Sequence, residues 1–600
     1  MAHDSTTSAA VAPAQQSKDE RSVAEARDLI ERAYKAYQEF SSFTQEQVDR
    51  IVEAVAAAAA ANAEKLARLA VEETTYGVVA DKLVKNQFSA QRVYEAIKPL
   101  KTVGVVREDR EKGIIEVAVP VGVVAAILPS TNPTSTAIYK ILIALKGRNA
   151  LVVSPHPTAL RCSCEAASIM REAAIKAGAP ADVICCFSTP SLAGTHELMK
   201  HRRTAVILAT GGMAMVRAAY SSGKPAFGVG PGNVPAMIDR SADVRKAVAD
   251  VVFGKTFDHG TICSSEQAIV AEESLREAIV KELANNGAYL LTRDDIELLG
   301  KQMVNTETHT ICPKFVGKSA AKVAELAGLK VPPDTRVLVA VLEKVGRDEP
   351  LSAEKLSPVL ALYLEKDRAA AMARCVELLR FGGLGHTCSI HAKDDAVIRE
   401  YGLRMPAYRV VVNSPSPQGS IGSSTNLFPA MTLGCGAAGG NITSDNISPL
   451  HLINLKRIAY EARPVTASPA VSATAPAATA VCGVCAHTEP AAASNQQPAT
   501  GVNWVVARAV DRFLAGKNPA EPASAPASSA PAKPEAPAKT DGPTAAAAYQ
   551  SKPRAVDFVS EAEIRAAVKR KAKIFIGPKT IITPAARDLA AEYDVLVRVD

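Results

Sequence analysis

One cysteine, Cys263, lies in the stretch Thr256-Phe-Asp-His-Gly-Thr-Ile-Cys-Ser-Ser-Glu266, which is small, polar and punctuated by glycine. A thiol in such a setting can be reached by substrate and act as a nucleophile, whereas a packing cysteine sits among apolar neighbours and is inert. The stretch alone is compatible with either reading. Asn132, in Pro129-Ser-Thr-Asn-Pro133, carries an amide that could donate to a developing oxyanion, although asparagine before proline is also a common turn residue. Thr210-Gly211-Gly212 follows the β-branched run Thr204–Ala209 and precedes a helical stretch from Met213. Glycines at a strand-to-helix turn let backbone approach a phosphate, with helix N–H groups and dipole behind it, or they make an ordinary tight turn. A second glycine-rich loop is Gly228-Val-Gly-Pro-Gly-Asn233. His386, in Gly-Leu-Gly-His-Thr, and His259, four residues before the cysteine and the weaker of the two, are further titratable candidates. Cys482-Gly-Val-Cys485 with His487 has a metal-like look, but a single pair in a linker does not define a zinc site, and no metal is expected.

The elements that must position these residues follow from apolar spacing. Residues 1–22 are polar, without periodicity, and read as disordered. Leu29, Ile30, Ala33, Tyr34 and Tyr37 recur at helical spacing from Val23 to Phe40, and Thr44-Gln-Glu-Gln47 reads as a capping box opening a second helix. Val103–Val119 alternates around a charged turn and predicts a hairpin. Short β-branched runs then alternate with helical stretches, which predicts parallel sheet with helices on its faces. The first series is Val121–Leu128, Ala150–Ser154, Val183–Phe187, Thr204–Ala209 and Ala236–Ile238. The second is Gln267–Ala271, Val337–Val341, Leu360–Leu364, Ser389–His391 and Arg409–Asn413. Two such layers imply two Rossmann-like domains with a ligand cleft between them. We place them at 23–255 and 256–440, with 441–463 returning to the core or oligomerisation segment.

Beyond Arg463 the composition changes. Residues 464–500 and 518–554 are rich in Ala, Pro and Ser and read as linkers. Between them, residues 501–517 put Val502, Val505, Val506, Val510, Phe513 and Leu514 on one face of a short helix, either a docking peptide or an unpaired segment. Residues 555–600 regain helix and strand patterning, with a Ser560-Glu-Ala-Glu563 capping box, and are near the lower size limit for independent folding. The whole chain has 600 residues, 48% hydrophobic and 22% charged, with net charge +7. That charge is too dilute for nucleic-acid binding, and no apolar run is long enough for a membrane span. Eleven scattered cysteines and no signal-peptide core point to reduced thiols and a cytoplasmic setting.

Taken together, the segments Pro129–Pro133 with Thr134-Ser-Thr136, Ser154-Pro-His-Pro157, Thr210–Gly212, Gly228–Asn233, Thr261–Glu266, Gly382–Thr387 and Thr432-Leu-Gly-Cys-Gly436 resemble the aldehyde dehydrogenase superfamily. The likeness is to its CoA-acylating branch, including the aldehyde dehydrogenase half of bifunctional aldehyde-alcohol dehydrogenases and the acylating enzymes of bacterial microcompartments. It covers about residues 23–462. The resemblance implies an α/β fold of two parallel-sheet domains plus an oligomerisation hairpin, followed by a mostly disordered extension carrying short modules. It implies Cys263 as nucleophile, Asn132 and the Cys263 N–H as oxyanion donors, and Glu354, in Glu354-Lys-Leu-Ser-Pro358, on the nicotinamide ribose. Thr210, Gly211 and Gly212 would lie near the pyrophosphate of NAD, and Ser154 and Pro155 near its adenosine. His386 could help deprotonate CoA, or could be a loop histidine satisfied by backbone.

Two departures from hydrolytic relatives matter. Val229 stands where those enzymes carry the glutamate that activates a deacylating water, and valine accepts no proton. The acyl-enzyme is therefore expected to await CoA. Ser154-Pro-His-Pro157 lacks the lysine and glutamate that hold the adenosine ribose, and also lacks a cation for a 2′-phosphate, which favours NAD. The expected reaction is oxidation of a short-chain aldehyde to acyl-CoA by a homo-oligomer, with residues 501–517 binding a microcompartment shell or co-cargo protein. The alternatives are a hydrolytic dehydrogenase, or a scaffold whose dehydrogenase body is inactive.

Overall fold

The structure, a computed structural model, describes residues 17–305, 310–463 and most of 556–598. The expectations for residues 1–16, the two linkers, the 501–517 helix and Cys482, Cys485 and His487 lie outside the described residues. The chain divides into two units, Met1–Ser472 and Ala473–Asp600.

In the first unit, order begins earlier than the composition suggested. A helix spans Lys18–Phe40, so the expected disorder to residue 22 is corrected from residue 17 onward. Ser17 and Glu20 form a reciprocal capping box, and Ser22, Ala26, Leu29 and Ile30 are buried. The Thr44–Gln47 capping box is present as expected and opens the helix Gln45–Ala61.

The hairpin consists of β1 (Gly104–Asp109) and β2 (Ile114–Pro120), paired antiparallel. Next come β3 (Val123–Ile127), β4 (Ala150–Ser154), β5 (Ile184–Cys186), β6 (Thr204–Thr210) and β7 (Ala226–Val229). They form one parallel sheet in the order β5-β4-β3-β6-β7. All of β3 and β4 is buried, as expected of strands covered on both faces. The order reverses between β3 and β6, the position where an open α/β sheet leaves a crevice at its carboxyl edge.

The second sheet contains β8 (Val234–Ile238), β9 (Glu266–Glu272), β10 (Ala288–Leu290), β11 (Val337–Val341), β12 (Val359–Glu365), β13 (Cys388–His391) and β14 (Val410–Val412). It is parallel, in the order β10-β11-β12-β9-β8-β13-β14. The run Ala236–Ile238, expected to close the first series, therefore belongs to the second sheet, paired with β9 and β13. A short buried apolar run carries no mark of which neighbour it pairs with. The changeover between sheets falls between Val229 and Val234 rather than at residues 255–256. The chain also returns earlier than expected: Ile421, Ala430, Leu433, Ile447 and Leu452 pack in the core of the first sheet. Finally, β15 (Ile453–Ala459) pairs antiparallel with β2 and extends the hairpin to three strands.

In the second unit, β16 (Val556–Val559), β17 (Ile574–Ile582) and β18 (Leu596–Arg598) make a parallel sheet in that order, with a helix at Glu561–Arg570. Val559, Ile564, Ile576, Ala586 and Val595 form its small core.

Candidate active site

The two sheets feed one cleft from opposite edges of their strands. The first sheet presents the carboxyl ends of its strands: residues 127–132 after β3, Ser154–Thr158 after β4, Thr210–Gly212 after β6 and Val229 ending β7. The second sheet presents residues that precede its strands: Gly230 and Pro231 before β8, Thr261–Cys263 before β9, Glu354 and Leu356 before β12. His386 and Arg409 sit just before β13 and β14, beside the same end. The cleft has a volume of about 890 Å³. Eight of the expected site residues line it: Asn132, Ser154, Pro155, Thr210, Gly211, Gly212, Cys263 and Glu354. His259 does not; its ring Nδ1 lies 3.1 Å from the Gly317 carbonyl, a structural role.

Cys263 is half-buried, and its Sγ lies 3.2 Å from His386 Nε2. His386 is fully buried, and its Nδ1 is 2.9 Å from Thr387 Oγ1. Burial, reinforced by the Arg409 guanidinium, pushes His386 down to about 3. Burial, with Glu354 and Cys435 adding repulsion, pushes the Cys263 thiol up to about 12 against the opposing pull of Arg409. At neutral pH the pair is therefore a neutral thiol beside a neutral imidazole. Arg409 donates to the carbonyls of His386 at 2.7 Å and Gly434 at 2.5 Å, clamping the two glycine-rich loops together. Close backbone packing supports the cysteine too: a Cβ added at Gly232 would stand 2.2 Å from the Cys263 carbonyl oxygen.

Asn132 is placed by proline and by a buried charge cluster. Pro133 occupies the first turn of the helix Pro133–Lys146, leaving Asn132 at the N-cap position, yet its side chain does not cap that helix. Instead, its Nδ2 donates to the Thr261 carbonyl at 3.1 Å, and its Oδ1 accepts from Lys85 Nζ at 2.5 Å. Lys85 also pairs with Asp258 and donates to Thr261 Oγ1 at 3.2 Å. Lys82 meets Asp258 at 2.9 Å and the Thr131 carbonyl at 2.9 Å. Burial raises Asp258, but Lys85 and Lys82 outweigh it and hold the carboxyl below its usual range. Burial brings Lys85 down to about 8 against the attraction of Asp258. Asp258 and His259 adopt left-handed backbone (φ 48° and 52°), rare for residues other than glycine. Asp258 is thus turned inward, where its carboxylate receives the Val78 N–H at 2.7 Å. The ion cluster was not anticipated. Lys82 and Lys85, three apart on a short helix, have the spacing of a solvated face, and Asp258 lies in a polar stretch where a single acid carries no signal.

Glu354 is the only carboxylate lining the cleft among the described residues, and its Oε1 accepts the Gly232 N–H at 3.0 Å. Burial raises it to about 7 despite that bond and the nearby Lys255 and Lys355. The Thr210–Gly212 turn has room for a bound group. A Cβ added at Gly212 meets nothing within 4 Å, and the buried Thr210 hydroxyl has no hydrogen-bond partner. The helix Met213–Tyr220 starts there without a side-chain cap, so its first N–H groups are not satisfied by one. These are the features of an anion cradle. Ser154 Oγ lies 3.0 Å from Thr195 Oγ1 across the far end of the cleft.

A cleft between two parallel-sheet domains, with a thiol at its floor and an uncapped helix N-terminus on its wall, defines a dinucleotide-type oxidoreductase body. The aldehyde dehydrogenase family profile matches residues 3–420, and the chain belongs to that family. It is 46% identical over 402 residues to the bifunctional aldehyde-alcohol dehydrogenase AdhE of Escherichia coli K12, covering 66% of this chain and 45% of that protein. The chain thus spans about half the length of the curated relatives it matches first. An acetylating aldehyde dehydrogenase from Geobacillus thermoglucosidasius shares 49% identity with a TM-score of 0.74, covering 76% of this chain and 100% of that one. A propionaldehyde dehydrogenase from Rhodopseudomonas palustris, solved with bound CoA and an acylated cysteine, shares 25% identity with a TM-score of 0.65, covering 72% of this chain and 97% of that one.

Proposed function

We propose that the protein is an NAD-dependent, CoA-acylating dehydrogenase of short-chain aldehydes. Cys263 Sγ, oriented by its 3.2 Å contact with His386 Nε2, adds to the aldehyde carbon as its proton is released to solvent, because an imidazole at about 3 does not retain it. The new oxyanion is received by the Asn132 amide and the Cys263 backbone N–H. NAD, when bound, supplies the acceptor for the hydride that leaves this carbon, so that a thioester remains on Cys263. Thr210, Gly211 and Gly212 would hold its pyrophosphate, Glu354 its nicotinamide ribose, and Ser154 and Pro155 its adenosine side. CoA then gives up its thiol proton, its sulfur attacks the thioester carbon, the bond to Cys263 Sγ breaks, that proton restores the Cys263 thiol, and acyl-CoA leaves.

The observation that carries the acyl-CoA product is the composition of the cleft wall. Val229 lies there, 3% exposed, where a hydrolytic enzyme needs a base, and the sole lining carboxylate among the described residues already accepts the Gly232 N–H. A thiol needs less activation than water because its thiolate is intrinsically nucleophilic. The relatives named as acetylating or solved with CoA support this reading. The alternative, hydrolysis, would have to use Glu354 as its base, the only carboxylate lining the cleft among the described residues. The test is NADH formation from C2 to C4 aldehydes with and without CoA. Multiple turnovers that require CoA support the acylating reading, and equal sustained rates without it support hydrolysis.

The same reading extends to assembly. The exposed outer strand β15, carried by the hairpin, offers an edge for pairing with another copy, as in a homo-oligomer. Residues 501–517 are proposed, on sequence alone, to dock to a microcompartment shell or co-cargo protein. Deleting 464–600 would then leave activity intact and abolish encapsulation; unchanged localisation would refute the docking role.

A further inference from the structure

Four cysteines outside the catalytic cleft gather where the helix Leu160–Lys176 starts beside β5: Cys162, Cys164, Cys185 and Cys186. Cys162 and Cys185 are buried, with thiols pushed up by burial. Cys164 and Cys186 are half-buried, and their Sγ atoms lie 3.0 Å apart. Closing that separation to a disulfide requires the sulfurs to move together by about 1 Å. Both backbones are fixed from elsewhere. Cys186 is paired in register with Val153 of β4. The helix start is held by Glu73, whose carboxylate accepts the N–H groups of Arg161 and Cys162 at 2.7 Å each.

The position of the pair gives it a consequence. Cys164 is on the helix that follows the cleft-lining segment Ser154–Thr158, and Cys186 precedes the cleft-lining segment Pro190–His196. These two walls are bridged once, by Ser154 Oγ and Thr195 Oγ1. Glu25 fixes the loop after Cys186 by accepting the N–H groups of Ser188 and Thr189.

We propose that Cys164 and Cys186 are an oxidisable dithiol that closes to an intramolecular disulfide under peroxide and ties the two walls of the cleft together. The hydrogen bond between the thiols lowers Cys164 and raises Cys186, so Cys164 ionises first. Its thiolate attacks one peroxide oxygen; the O–O bond breaks, and the released hydroxide takes a proton to become water. Cys186 Sγ then attacks the resulting sulfenic sulfur, the S–O bond breaks, and the departing hydroxide leaves as water with the Cys186 proton. Two thiols and one peroxide give one disulfide and two waters, a two-electron oxidation that a dithiol reductant reverses.

The test uses the full-length protein with Cys263→Ala, so that the nucleophile cannot consume oxidant. After graded hydrogen peroxide, free thiols are alkylated and the peptides are analysed by mass spectrometry. The expected result is a dithiothreitol-reversible Cys164–Cys186 cross-link and a higher melting temperature of the oxidised form, through closure of the loop between them. Both effects should vanish in an added Cys186→Ser exchange. Cys164 and Cys186 remaining alkylatable while half-buried Cys312 oxidises, or Cys164 overoxidising without linking to Cys186, would overturn the proposal. On the NAD reading, oxidised and reduced forms also differ in Kd for NAD, measured by calorimetry. Equal Kd values refute the tie's effect on the cleft. Absence of NAD binding to both forms counts against the cofactor assignment, which the cross-link does not depend on.

Discussion

Replacing Asn132 with alanine removes one of the two donors proposed for the oxyanion and one acceptor from a buried cation. The two losses can be measured apart. Deleting a single oxyanion donor costs roughly 10²–10³ in kcat, about 3 to 4 kcal/mol in the transition state. The Asn132 amide is held by Thr261 and Lys85 before substrate arrives, and its second N–H goes to Thr131 Oγ1 at 3.3 Å, a long bond that the oxyanion must displace, so the effect is expected at the lower end of that range. In the ground state, Lys85 loses its 2.5 Å contact with Asn132 Oδ1 but keeps Asp258 and Thr261. The stability cost is therefore that of one charge-assisted hydrogen bond, about 1.5 to 3 kcal/mol. Asn132→Asp keeps an acceptor for Lys85 and places a carboxylate where negative charge develops. It should melt closer to wild type than Asn132→Ala while losing at least as much kcat. The assay is NADH absorbance at saturating aldehyde, NAD and CoA, paired with thermal melts. A kcat for Asn132→Ala within about twofold of wild type in a folded protein would refute the oxyanion assignment.

Three further outcomes follow from the same geometry. Lys85→Met should lower kcat by about tenfold or more with a small change in KM, because Asn132 loses its anchor while Asp258 keeps Lys82; an unchanged kcat would reduce the ion cluster to a structural role. Val229→Glu should raise free-acid formation in the absence of CoA and lower the melting temperature, since it buries a new carboxylate; no gain in acid would count against Val229 as the missing base. Burial raises Glu354 from its ordinary 4.5 to about 7, so the folded state holds its proton more tightly than the unfolded chain. Its contribution to stability is full below the lower value and is lost as pH rises through the higher one. Glu354→Gln, which can still accept the Gly232 N–H, should thus melt above wild type at about pH 8 and together with it at about pH 4. A difference independent of pH would contradict the burial of an ionisable Glu354.

Much of the body was legible because buried parallel strands are written as continuous β-branched runs. Ala150–Ser154 and Val337–Val341 coincide with β4 and β11. The glycine-rich loops and the strand ends carrying Asn132 and Thr210 marked one side of the cleft for the same reason. What escaped was pairing and long-range charge. The run at β8 looks like its neighbours, so its sheet could not be assigned from its own residues, and β7 and β10 are too short to stand out. Lys82, Lys85 and Asp258 meet across more than 170 positions of chain, through a left-handed turn at residues that are not glycine. No local periodicity encodes that. The inward charge of Asp258 is fixed only when the two domains close on it.

The central claim is that the thioester on Cys263 persists until a thiol removes it. The most direct measurement is a single mixing experiment with aldehyde and NAD but no CoA, following NADH while intact-protein mass reports the acyl group. The account predicts a burst of about one NADH per active site, a mass increase on Cys263 that is stable over the steady state, and its discharge as acyl-CoA when CoA is added. Continued NADH formation without CoA, with free acid accumulating and no acylated protein, would contradict it.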